Sequence, residues 1–239
     1  IALDSDNSHG FVTTSSSNHG DSRPWMAFNK IYGPGEDYWM CAHPGNYELN
    51  GTYKGSNSLG GVNGEWIAIE FPYYLKPTAV HITARDVSSD GVWSHTKYAP
   101  KNFKVFGSND GSTWTEILDQ IDADIKDETN GGGMSFIPHT TTEYYKHFGL
   151  VISATRGERV DIAEIKYIGD IVKGEWIKIK LLDSRSLVSY KLSKQSTNDE
   201  TPKVFSIYGS NDNSTWISIP GSSNTLTDSD QIDTNGTTY

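Results

Sequence analysis

One cysteine, three methionines and no long apolar run set the first limits on this chain of 239 residues. Cys41 stands alone, so no internal disulfide forms and the redox compartment stays open. No stretch approaches the ~18 consecutive apolar residues of a transmembrane helix. Basic runs are missing as well. The formal net charge of -10 repels a phosphate backbone and argues against nucleic acid as a partner. Helical periodicity extends nowhere beyond about two turns. ILDQIDADI, Ile117 to Ile125, reads equally as a short helix or an irregular loop. Hydrolase signatures are absent: there is no G-x-S-x-G, no H-E-x-x-H, and the seven histidines lack metal-ligand spacing. The three glycines at 131–133 have no strand-to-helix pattern around them and read as a loop rather than a phosphate cradle. The first residue is Ile and no signal peptide is visible, so the expectation is a removed leader or an excerpt from a longer protein.

Aromatic residues, by contrast, are plentiful: Trp 7, Tyr 13 and Phe 8 in a chain only 35% hydrophobic. With abundant Gly, Ser, Thr, Asn and Asp, this predicts short aromatic and β-branched strands between polar turns. Alternating segments fit that prediction: EWIAIEF (Glu65 to Phe71), AVHITAR (Ala79 to Arg85), NFKVFG (Asn102 to Gly107), HFGLVIS (His147 to Ser153) and DIAEIKYIG (Asp161 to Gly169). A second set follows: EWIKIKL from Glu175, LVSYKL from Leu187 and KVFSIYG from Lys203.

The second set repeats the first. GSNDGSTW at Gly107 to Trp114 returns as GSNDNSTW at Gly209 to Trp216, an offset of 102, and Gly64-Glu65-Trp66-Ile67 returns at Gly174 at an offset of 110. The second copy is therefore eight residues shorter between the two motifs, and it lacks counterparts of the first copy's front and end. The motif itself invites a metal reading through Asn109, Asp110 and Ser112, but one carboxylate is too few for a calcium loop. A turn fits better, with Gly111 taking positive φ and Asn213 doing so in the second copy. Trp114 and Trp216, and likewise Trp66 and Trp176, then read as core residues.

PWMAFNK, DYW, GEWIAIEF, APKNFKVFGSNDGSTW and RVDIAEIKYIG, in that order, resemble the coagulation factor 5/8 type C (discoidin-like) domain, which is allied to the family-32 carbohydrate-binding modules. The resemblance implies an all-β fold, a galactose-binding-domain-like jelly-roll β-sandwich. One complete copy covers residues 1–172 and a partial copy covers 173–239. It implies non-catalytic recognition through loops at one end of the sandwich. In sugar-binding relatives an Arg ends the strand that Arg85 ends here, and a His accompanies the Trp of the first loop, which points to Trp39 and His43. The loop Ala84 to Pro100, the part the second copy shortens, adds Asp86, Asp90, Trp93, His95 and Tyr98. Aromatic faces and planar hydrogen-bonding groups of this kind grip sugars. The bland alternative is a Trp93 folded over its own loop and an Arg85 paired with Asp86 or Asp90. The resemblance further implies a structural calcium at Asn29, Asp37 and Glu164, for which ordinary Asx hydrogen bonds are the alternative.

The expectation is a recognition module for carbohydrate or glycoprotein at an extracellular, cell or virion surface, carried by Arg85, Asp86, Trp93 and His95. Two alternatives stand beside it: an assembly domain of a shell, fibre or adhesin contacting other subunits, and an accessory module of a glycoside-processing enzyme. Asn50, Asn213 and Asn235 begin N-x-S/T sequons, which matter if the chain is secreted by a eukaryote.

Overall fold

The computed structural model describes residues 2–32, 37–42, 45–85, 97–127, 132–139 and 143–171, with shorter stretches between 177 and 238. The chain divides into two compact units, Ile1–Lys173 and Gly174–Tyr239.

The first unit is a β-sandwich. Its strands are β1 (Asn7–Ser8), β2 (Phe11–Ser15), β3 (Trp39–Met40), β4 (Ser58–Leu59), β5 (Val62–Asn63), β6 (Glu65–Ala84), β7 (Pro100–Ser108), β8 (Thr115–Gln120), β9 (Met134–Phe136), β10 (Tyr145–Thr155) and β11 (Asp161–Ile171), with one short 3-10 turn at Pro24–Phe28. The front sheet runs β1-β2-β6-β10-β7-β8, and the back sheet is built from β3, β11, β6 and β9. All these pairings are antiparallel.

β6 belongs to both sheets. EWIAIEF and AVHITAR, which the sequence suggests as separate strands, are the two halves of one strand of 20 residues. The first half pairs with β2 and β10, the second with β11 and β9. Between them Pro72 and Pro77 bracket the corner, where missing N–H groups break the ladder. Leu75 sits opposite both Tyr145 of the front sheet and Ile171 of the back. The chain therefore leaves one end of the sandwich at Glu65 and returns toward that end at Ala84.

Alternation along β6 sends Ile67, Ile69, Phe71, Val80 and Ile82 into the core with Phe103, Val105, Phe148, Leu150, Ile162 and Ile165. The same alternation corrects the reading of Trp66. It points away from Ile67 and Ile69, onto the outer face of the front sheet. There it is partly buried with Trp114 and Val62 against Leu59, Ala68, Phe106 and Val151. The β4–β5 hairpin lies over this satellite cluster, and Gly60 lets it approach, since a Cβ there would sit 2.6 Å from the Phe106 ring. Trp176 lies outside the described residues. ILDQIDADI is neither helix nor wholly loop: its first four residues finish β8, and Asp122 beyond them takes a φ of 55°.

GSNDGSTW is the β7–β8 turn. Asp110 Oδ1 accepts the N–H groups of Ser112 and Thr113 at 2.8 and 2.7 Å, and these bonds hold its carboxyl well below the usual carboxylate range. Gly111 has a φ of 71°. In the second unit Tyr208–Gly209 pairs with Ile217–Ser218, and Gly209 faces Ile217 as Gly107 faces Thr115, the same register at the same offset of 102. Two further short pairs in that unit join Lys191–Leu192 to Thr237–Thr238 and Val204–Phe205 to Asn224–Thr225. Asn213 lies outside the described residues. No helix among the described residues is long and apolar enough to cross a membrane.

The turn makes a prediction. Gly111→Asn changes the unfolding free energy by less than about 0.5 kcal/mol, while the β-branched Gly111→Val costs about 1–2 kcal/mol. Equilibrium urea unfolding of the full chain measures both, and equal losses would contradict a left-handed position.

Candidate functional site

Because β6 returns to the end it left, its last residue and its first contribute to the same set of loops. Several hydrogen bonds tie those loops together. Thr155 N–H donates to Gly51 O, Cys41 N–H to Val160 O, and Asp161 N–H to Tyr98 O. Trp39 Nε1–H donates to Ser17 O at 3.1 Å, and Ala42 N–H to Ser17 Oγ at 3.0 Å.

At the centre of one group lies Asp161, the first residue of β11, with a side chain 1% exposed. Arg159 Nε–H reaches its two oxygens at 3.1 and 3.3 Å, and Arg85 Nη1 lies 3.4 Å from Oδ2. Each guanidinium also covers a tyrosine ring: Arg85 over Tyr38 at 3.6 Å from the ring centroid, and Arg159 over Tyr98 at 3.8 Å. Burial pushes the Asp161 carboxyl above its ordinary range, an effect that Arg159 and Arg85 partly offset. The Nε of Arg85 is buried without an acceptor. Among the described residues the partner of Arg85 is a buried acid 76 residues further along the chain, and the ion pair with Asp86 or Asp90 that the sequence offers as an alternative falls on residues outside that set.

A second buried acid, Glu65 at the start of β6, knits the neighbouring loops. Its side chain accepts hydrogen bonds from Ser16, from Ser17 Oγ at 2.7 Å, from Asn46 Nδ2 at 2.5 Å and from Asn57 Nδ2 at 3.2 and 3.3 Å. The Tyr47 hydroxyl donates to Ile152 O at 2.7 Å and lies 3.3 Å from the Glu65 amide. Four neutral donors and no lysine or arginine satisfy this fully buried carboxylate. Ser17 passes the restraint on, because its hydroxyl and carbonyl are the groups that hold Ala42 and Trp39.

Trp39 is thereby corrected. It is fully buried, with its indole N–H spent on Ser17 O, so it supports the first loop from beneath and has no free face for a ligand. Its neighbour Tyr38, which sequence reading missed, is the ring that Arg85 covers, and it is buried as well. Asp86, Asp90, Trp93, His95 and His43 lie outside the described residues. Tyr98 is in place, under Arg159. Arg159 and Asp161 also escaped notice, although two residues apart at the entrance to a strand they necessarily share a side. Cys41 is buried, its thiol pushed up to about 12 by desolvation, which makes it an inert core residue.

The calcium set fares differently. Asn29 Oδ1 accepts Ile31 N–H at 2.8 Å, and Glu164 Oε2 accepts Lys30 N–H at 2.9 Å. The remaining amide group of Asn29 is a buried, unpaired donor, the wrong polarity for a cation. Asp37 is half-buried on the loop before Tyr38. Among the described residues no three His, Cys, Asp or Glu side chains lie close enough to hold a metal. Calcium asks for about six to eight oxygens, and these residues do not fit it. Lys30 has a φ of 62°. With Glu164 and Lys166 it lines a cavity of about 170 Å³ whose walls are Phe11, Phe28, Ile69, Phe71 and Tyr167. Burial raises the Glu164 carboxyl to about 7.

No family model and no curated protein matches the chain. Among solved structures, similarity extends to the family 32 carbohydrate-binding module of Clostridium perfringens NanJ in complex with galactose, at 14% identity over 65% of this chain and 90% of that one, TM-score 0.44. A family 32 module of the Clostridium perfringens family 89 glycoside hydrolase in complex with GalNAc-β-1,3-galactose gives 14% over 65% and 92%, TM-score 0.45. The family 89 glycoside hydrolase itself, in complex with GlcNAc-α-1,4-galactose, gives 15% over 74% of this chain, TM-score 0.47, and the match spans 16% of that enzyme chain. Identities this low carry no residue of theirs over to this chain.

Lys30 gives a direct test of the left-handed position in this loop. Lys30→Gly relieves the left-handed strain and raises stability by about 1 kcal/mol. Chemical denaturation measures this, and a loss of stability would show instead that the lysine side chain supports Glu164.

Proposed function

We propose that residues 1–173 form a non-catalytic module that binds carbohydrate through the loop end holding Arg85. The observation that carries this reading is the clamped Arg85 guanidinium, stacked on Tyr38 and fixed by Asp161 where the loops gather. A planar fork held rigid on a buried aromatic ring is equipment for gripping vicinal hydroxyls. The ordered motifs that resemble discoidin-like domains support the same reading. So does the composition of the loop that follows Arg85, with Trp93, His95, Asp86 and Asp90. The site's natural setting in this proposal is an extracellular, cell or virion surface, where weak single-site affinity is amplified by multivalency.

A glycan array probed with the multimerised full chain tests this. Arg85→Ala and Trp93→Ala are each expected to abolish retention on the glycans that bind the parent. Retention indifferent to both changes would contradict the site, and no retention on any glycan would contradict the function.

A second reading concerns residues 174–239. At the offset of 110, Ile177 and Ile179 match Ile67 and Ile69, yet they are 90% and 76% exposed where their counterparts are 1% and 3%. Alternating apolar side chains left open in this way favour an assembly role, in which another protein covers them. Sedimentation of the full chain checks it: self-association abolished by Ile177→Lys with Ile179→Lys is expected, and a concentration-independent monomer would contradict it.

A further inference from the structure

Resting on the carbohydrate reading, we propose that the ligand is an acidic glycan, and that its anionic substituent, a carboxylate or a sulfate ester, is held between Arg85 and Arg159. The charge balance at the loop end argues for it. Among the described residues two guanidiniums converge on the single carboxylate of Asp161, which leaves one positive charge unmatched there. Among the described residues around them the other charges cancel or stand apart. Lys97 lies over the Tyr98 ring and Glu158 accepts from the Tyr98 hydroxyl, one charge of each sign, while Asp37 forms no ion pair with either arginine. In a chain of formal net charge -10, a local positive surplus of this kind is against the trend of the molecule.

The hydrogen-bond inventory points the same way. Arg159 commits only its Nε to Asp161, and Arg85 commits only one terminal nitrogen. The two terminal nitrogens of Arg159 and the second of Arg85 have no acceptor among the described residues. The Arg85 and Arg159 side chains are 22% and 18% exposed. Three donors on two charged planes, each plane stiffened by the tyrosine under it, make a preorganised seat for the paired oxygens of a carboxylate or sulfate. A neutral hydroxyl would use one donor and leave the charge surplus unanswered. Arg159 thus becomes a specificity residue and Asp161 the group that positions both arginines.

The test titrates the full chain with three galactose-based ligands: methyl galactoside, methyl galacturonide and a galactose sulfate ester, with inorganic sulfate as a fourth probe. At low salt an anionic sugar is expected to bind at least about tenfold tighter than the neutral one, as one added charge-assisted hydrogen-bond pair implies. The advantage shrinks as ionic strength rises and stays flat from pH 5.5 to 8.5, because arginine does not titrate there. Arg159→Gln removes the advantage, and Arg159→Lys restores it only in part. The carboxylate and sulfate arms identify which anion is preferred. Equal affinity for neutral and anionic sugars overturns the acidic-glycan inference while leaving the carbohydrate reading intact. Binding of none of the sugars overturns the acidic-glycan inference for these ligands, and the carbohydrate reading then stands or falls by the glycan array. Inorganic sulfate bound as tightly as the sulfated sugar overturns the assignment to a glycan. The salt series on the parent chain decides the matter even where a variant fails to fold.

Discussion

The loop end depends on one buried carboxylate answered by two arginines. Asp161 enters β11 at the point where β3 and β6 flank that strand, so its position is set by the sheet, not by the loops. Its two partners come from different segments, Arg85 from the end of β6 and Arg159 from the β10–β11 connection, and each lies on a tyrosine from a third and fourth place, Tyr38 and Tyr98. Removing a buried partner of this kind is costly, because what remains is charge without compensation in a low dielectric. The arrangement therefore fixes four loop segments with respect to the rigid sheets, which is the condition a recognition surface needs.

Glu65 performs the same task from the other end of the same strand. Neutral donors from residues 16, 17, 46 and 57 satisfy it, and through Ser17 the restraint passes to Trp39 and Ala42. Because β6 turns its corner between Pro72 and Pro77, Glu65 and Arg85 bound the strand that supplies both buried-acid networks. Core burial along β6 and hydrogen bonding at its two ends are thus parts of one device: the first holds the sheets together and the second holds the loops.

Much of this fold was legible in the sequence, for identifiable reasons. Strands such as Glu65 to Phe71 and Asp161 to Gly169 alternate cleanly, because one face of each meets the core. The merger of two strand signals into β6 was not legible, since the prolines that mark a corner within a strand also mark a break between strands. Trp66 was misread because its alternation with isoleucines gives the period but not which face is inside, and the outer face here has its own cover in the β4–β5 hairpin. At the candidate site, the place of Arg85 could be read from the resemblance, but its partner could not, being 76 residues away. Trp39 misled for the opposite reason: an aromatic residue in a loop looks like a platform until its burial is seen. At Asn29 and Glu164 the sequence could not show that backbone amides already take Asn29 Oδ1 and one oxygen of Glu164.

The central claim is that Asp161 energetically organises the loop end, and equilibrium unfolding of Asp161→Asn measures it most directly. The substitution keeps size and shape and removes the charge that both arginines share. A loss of about 3 kcal/mol, in the range for breaking a buried ion pair, is the predicted result. A loss within about 0.5 kcal/mol, the level of an exposed surface pair, would show that the arginines are held by their tyrosines and by solvent, and would contradict the account.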